Sequence, residues 1–240
     1  MALFLIGTGV AFDLTLSGAE ALKRCQEAYI ETYTNPIAEE KINALSTMCG
    51  KKIVLLERSR LESPYLVDRA ASADVCILAS GDPLTATTHI TLVIEAKKRG
   101  IPVHVIHNSS IHSVAPARAG LQMYRFGKTA SLVNPRPNYK PTSSLDIIRE
   151  NLARNLHTLV LLDTEPQPME AGAALEMLSE FDSAVILSRV GHEDELITYG
   201  KIKDLRMSAK KNGYLGKPPF TVIVPAKLHP VEEEYLEALK

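Results

Sequence analysis

Through the first 110 residues, short apolar runs alternate with stretches of helical period, and this constrains the fold more than any other feature. Strands are expected at 3–6, 28–31, 53–56, 75–79 and 103–106, with helices between them at 17–25, 38–48, 65–71 and 87–99. Ser17 and Glu20 have the spacing of a capping box at the first helix. Gly50 and Gly100 stand where helices should end. Strands alternating with helices imply a mainly parallel sheet with both faces covered.

The second half is organised differently. Residues 134–144 (NPRPNYKPTSS) hold three prolines and few apolar side chains, which marks a loop or crossing segment. Beyond it come a helix at 145–154, a strand at 158–162 and a helix near 169–180. A strand at 184–187, a polar strand near 196–199 and a helix around 202–209 follow. The chain ends with a strand at 221–224 and a helix from Pro230. Two α/β domains are expected, 1–113 and a mixed 114–240, with a cleft between them.

A chain of 240 residues buries enough surface for such an arrangement. Its formal net charge of −1, without runs of like charge, argues against a protein built to hold nucleic acid. Cys25, Cys49 and Cys76 form no CxxC pair, so a disulfide framework or zinc knuckle is not expected and a reducing compartment fits best. Residues 1–16 are apolar but lack a basic start, and Asp13 interrupts them, which suits a buried strand rather than a signal peptide. No apolar run has the length of a membrane span. These features predict a soluble, cytoplasmic protein.

Chemistry is concentrated at strand ends. Ser80-Gly81-Asp82-Pro83-Leu84-Thr85-Ala86-Thr87-Thr88-His89 follows the fourth strand, where open α/β sheets place their ligands. Asp82-Pro83 also suits an ordinary helix start, with aspartate as cap and proline in the first turn. In the functional reading Gly81 permits close approach, and the Asp82 carboxylate attracts an ammonium or ribose hydroxyls. Gly7-Thr8-Gly9 follows the first strand, but Phe12 stands where a dinucleotide fingerprint wants its third glycine. Glu31 lies roughly where a ribose-binding acid would sit. His104 and His107 fall on opposite faces of a strand, and with His112 they lack an acidic or cysteine companion, so no metal site is expected. His89 suits packing or acceptor positioning, and the hydroxyls of Thr85, Thr87, Thr88, Ser109 and Ser110 suit caps and turns.

Taken with Asn108-Ser109-Ser110-Ile111 and Gly120-Leu121-Gln122-Met123-Tyr124-Arg125-Phe126-Gly127-Lys128, these segments resemble the diphthine synthases. Those enzymes are a branch of the tetrapyrrole-methylase-like, S-adenosylmethionine-dependent methyltransferases. The resemblance continues through Leu156-His157-Thr158-Leu159, Ser188-Arg189-Val190-Gly191, Pro218-Pro219-Phe220 and Val224-Pro225-Ala226-Lys227-Leu228-His229. It implies a two-domain tetrapyrrole-methylase-like fold, a cofactor cleft between the domains, and a homodimer. Carried over by position, it implies cofactor contacts at Val10, Asp82, Thr85, Ser110, Ile111, Leu162, Val190 and Phe220. Some relatives have histidine where Phe220 stands, and residues 114–119 lack an expected glycine.

The reaction implied is methylation of the amino group of the 3-amino-3-carboxypropyl-histidine of translation elongation factor 2, in diphthamide biosynthesis. An α-amine has a pKa of about 7.7–8, so a neutral fraction exists without a strong base, and no catalytic residue is expected. The alternatives are a methyltransferase of a corrinoid or tetrapyrrole precursor and a dinucleotide-dependent oxidoreductase. A cofactor-sensing module without activity is a further one.

Overall fold

The computed structural model describes residues 1–33, 37–135, 141–165, 167–211 and 215–239. It divides into two compact units, Met1–Ile111 and His112–Lys240, where the sequence places the boundary between 113 and 114.

The first unit runs β1 (Leu3–Gly7), α1 (Leu16–Arg24), β2 (Glu27–Glu31), α2 (Glu39–Cys49) and β3 (Ile53–Leu56). It continues with α3 (Arg58–Leu61), α4 (Tyr65–Ala70), β4 (Val75–Ala79), α5 (Ile90–Lys98) and β5 (Val103–Ile106). The strands form one parallel sheet in the order β3-β2-β4-β1-β5. Alternation along each strand sorts the side chains between two cores. Leu3, Leu5, Tyr29, Val75 and Ile77 pack with Leu66, Val67 and Ala70 of α4 and with Leu92, Val93 and Ala96 of α5. Phe4, Ile6, Ala28, Ile30, Cys76 and Leu78 pack with Leu22 of α1 and with Ile42 and Leu45 of α2. Burial on both faces explains why these strands read as unbroken apolar runs.

Two helix starts differ from the sequence expectation. The first helix is capped by Thr15, whose Oγ1 accepts from Gly18 N at 3.0 Å, and the expected Ser17–Glu20 box is not the cap. Thr15 wins because its hydroxyl reaches the orphan amide of the first turn. The fourth long helix begins at Ile90 rather than Thr87. Ala86 has φ +57, and Thr87 Oγ1 donates to the Pro83 carbonyl at 2.7 Å, so the GDP segment is spent on a compact loop.

α6 (Ile111–Arg118) straddles the junction, and the expected boundary hid it because Pro116 lies inside it. β6 (Ala130–Leu132), α7 (Ser143–Ala153), β7 (Thr158–Leu162), α8 (Ala171–Met177) and β8 (Ser183–Ser188) follow. The last elements are β9 (Leu196–Lys201), α9 (Ile202–Lys210), β10 (Phe220–Val224) and α10 (Pro230–Glu237). The three-residue β6 is too short to show a period. Residues 136–140 of the expected proline-rich loop lie outside the described residues. The second sheet is mixed, ordered β6-β7-β10-β8-β9, with β6 and β7 parallel and its other pairs antiparallel. Val160, Val222, Val224, Ala184 and Ile186 face a core with Ile148 of α7, Leu175 of α8 and Leu205 of α9. None of the described helices is long and apolar enough to cross a membrane.

Candidate functional site

The order β4-β1-β5 brings three loops together at the carboxyl ends of parallel strands, the usual position for a ligand in open α/β sheets. Backbone bonds between Gly9 and Gly81, Gly9 N to Gly81 O at 3.0 Å and Gly81 N to Gly9 O at 3.2 Å, join the first two loops. Both glycines have φ +68, a conformation most side chains resist. Gly7 is required for another reason: a Cβ there would lie 2.6 Å from Gly81 O and 2.9 Å from Asn108 Cβ.

Asn108 ties in the third loop. Its Nδ2 donates to the carbonyls of Gly7 at 3.0 Å and Asp13 at 2.6 Å, and its Oδ1 accepts from Ser109 N at 2.8 Å. Ser109 Oγ accepts from Val10 N at 3.2 Å. Thus Val10 is fixed against the residues after β5, and Ser110 and Ile111 follow at the start of α6.

Asp82 lies at the centre of this arrangement and is only 7% exposed. Its Oδ1 accepts from Leu84 N and from Thr85 Oγ1, both at 3.0 Å. Its Oδ2 accepts from His107 Nδ1 at 2.7 Å and from Asn108 N at 3.4 Å. Burial alone would push the carboxyl up; the bonds from Leu84, His107 and Thr85 outweigh it and hold Asp82 below the usual aspartate range. A buried, ionised carboxylate therefore sits under the loops without being the cap of α5. His89 is also buried, and its Nδ1 lies 2.9 Å from Pro83 O, so it braces the loop from beneath.

Other candidates are placed elsewhere. Glu31 is fully buried at the end of β2. His104 stacks on Phe4 with ring centroids 4.7 Å apart. Sequence reasoning weighed His107 only as a metal ligand and missed its bond to Asp82. The available signal was the polar run His107-Asn108-Ser109-Ser110 directly after a strand.

In the second unit, Leu162 ends β7, Phe220 begins β10, and Val190 follows the end of β8. Register pairs Thr221 with Leu161 and Phe220 with Ser188, so all three residues gather at one end of that sheet. Phe220 belongs to the buried core and Leu162 packs against it. Val190 is 6% exposed and follows Arg189, whose φ is +49. Of the three, only Leu162 is partly exposed.

The profile of the Tetrapyrrole (Corrin/Porphyrin) Methylases matches residues 2–206. A diphthine synthase of Methanocaldococcus jannaschii is 39% identical over 95% of this chain and 93% of its own length. One of Staphylothermus marinus is 38% identical over 98% of this chain and 92% of its own. The chain belongs to the diphthine synthase branch of the tetrapyrrole methylases. A solved diphthine synthase superposes on it with a TM-score of 0.90 at 32% identity, covering 100% of this chain and 96% of that one. The family's fold is thus present throughout, and the GDP loop, the HNSSI run and the apolar strand ends of the second unit are parts of a methyltransferase.

Proposed function

We propose that the chain is an S-adenosylmethionine-dependent methyltransferase of diphthamide biosynthesis. The observation that carries this is the likeness to curated diphthine synthases over nearly the whole of both chains. Since those relatives are diphthine synthases, the corrinoid-precursor and dinucleotide readings fall away.

S-adenosylmethionine, when bound, supplies a methyl group activated by its sulfonium. The residues present suit it. The ionised Asp82 carboxylate favours a cationic ligand, and Gly9 and Gly81 leave no Cβ to keep it from the backbone. Asp82 already accepts three short hydrogen bonds, so its main contribution to the ligand is charge, with Oδ2 retaining acceptor capacity beside the long Asn108 contact. Val10, Thr85, Ser110 and Ile111 are the further residues of the first unit that this reading assigns to the cofactor. Leu162, Val190 and Phe220 are those it assigns in the second unit, and their apolar character suits an adenine. Fixed orientation of an amine and a methyl donor contributes roughly 7–11 kcal/mol to such reactions.

The acceptor in this reading is the 3-amino-3-carboxypropyl-histidine of translation elongation factor 2, and the enzyme works as a cytoplasmic homodimer. Purified protein should transfer labelled methyl to the modified factor and leave the unmodified factor unlabelled. Equal labelling of both, or labelling only of a corrin-type molecule, would overturn the assignment. Sedimentation at micromolar concentration tests the dimer, and a monomer there would remove that claim.

A further inference from the structure

We infer that His107 is a catalytic residue of this site: Asp82 holds its ring, and its Nε2 accepts the proton of the acceptor ammonium before methyl transfer. This rests on the methyltransferase reading above. An ionised carboxylate can only accept hydrogen bonds, so the 2.7 Å contact with Asp82 Oδ2 requires the proton to be on Nδ1. In the neutral ring that tautomer leaves the Nε2 lone pair free. Nε2 has no partner among the described residues, and the side chain is 66% exposed while the Asp82 side chain is 8% exposed. A buried carboxylate orienting an exposed imidazole is the arrangement by which proton acceptors are positioned in many enzymes. Placement agrees, because His107 immediately follows β5, beside the Gly7–Gly81–Asn108 junction.

The ionisable surroundings of His107 are simple. Asp82 touches it from the loop after β4. Asp13, from the loop after β1, turns its carbonyl to Asn108, and His89 turns its ring to Pro83. His104, on the same strand, stacks on Phe4. The step is a proton transfer: an ammonium N–H bond breaks, an Nε2–H bond forms, and the electron pair stays on the amine. The imidazolium then releases its proton to solvent.

The test is His107→Asn, which keeps a side-chain N–H to bond Asp82 but has no counterpart of Nε2. Affinity for S-adenosylhomocysteine, measured by calorimetry, should stay within about twofold. The single-turnover rate at pH 7 should fall about tenfold, the reciprocal of the fraction of acceptor amine already neutral at that pH. The deficit should narrow above about pH 9, where the acceptor amine loses its proton to solvent unaided. Nitrogen NMR of the ligand-free protein should show His107 as the Nδ1–H tautomer, and Asp82→Asn should remove that preference. Unchanged turnover at pH 7, a deficit that does not vary with pH, or an Nε2–H tautomer would overturn the inference. Failure of the wild-type protein to bind S-adenosylhomocysteine or to methylate the modified factor would instead overturn the underlying reading.

Discussion

Each unit contains a buried carboxylate at a junction of segments, and the two are used in opposite ways. In the first, Asp82 accepts from Leu84, Thr85, Asn108 and His107, and the last of these carries its influence to solvent. In the second, Glu232 accepts from Gln122 N at 3.0 Å and His229 N at 2.8 Å, pairs with Arg125, and lies 3.3 Å from His157 Nε2. Ala226 N donates to His157 Nδ1 at 2.9 Å, so the proton of this neutral ring is on Nε2 and points to Glu232. Glu232 and His157 are fully buried. A histidine with both nitrogens engaged is mortar, whereas one with a free nitrogen is available for chemistry. The Glu232 cluster joins the Gly120–Lys128 and Val224–His229 segments, so part of the family's most particular sequence serves to hold the second unit together.

The comparison breaks first if removing Glu232 is harmless. Glu232→Ala leaves the partly buried Arg125 charge, the buried His157 and two backbone donors without their acceptor, and should cost about 3 kcal/mol of stability in urea unfolding. A loss under 1 kcal/mol would mean that the cluster is not a brace. Asp82→Ala should act on binding instead, because it removes a charge and not an element of the core. Affinity for S-adenosylhomocysteine should drop roughly ten- to hundredfold, the weight of a charged hydrogen bond, while the protein stays folded. Unchanged affinity would make Asp82 a loop brace like its counterpart. Ser109→Ala removes the acceptor for Val10 N and should cost about 0.5–1.5 kcal/mol of cofactor binding, measured by the same calorimetry.

The smallest effect is that of mild acid. Burial lowers the pKa of His157 despite the attraction of Glu232. The unfolded chain therefore takes up the proton first, and stability is fully present above about pH 6.5, then lost as pH falls through the folded value. Burial would raise Glu232, but bonds from the His229 and Gln122 backbone and the nearby charges lower it, so its contribution is lost only below about pH 4.5. Thermal midpoints followed from pH 8 to pH 4 should fall without a rise. His157→Gln should flatten the part above pH 5, and a midpoint that increases on acidification would contradict the sign.

Much of the first unit was legible in the sequence because its code is local. Its central strands β1 and β4 are buried throughout and read as continuous apolar runs, and the helix of α4 shows its stripe at Leu66, Val67 and Ala70. Helix starts were less legible, since Thr15 and Ser17 are equivalent on paper and only the position of Gly18 N chooses between them. The three-residue β6 and proline-containing α6 left no periodic trace. Among site residues, strand ends could be read, but partnerships could not. His107 and Asp82 are 25 residues apart, and Asn108 reaches Gly7 across 101.

The sequence by itself determined the alternation of strands and helices, the family, and which segments lie at strand ends, because periodicity and motif order are properties of the chain. Only the tertiary structure decided that β1 lies between β4 and β5, and with it that Gly7, Asp82 and His107 meet. The physical reason is that strand order is set by which faces bury together across the whole sheet. A hydrogen bond between distant loops has no signature until that order brings donor and acceptor within reach.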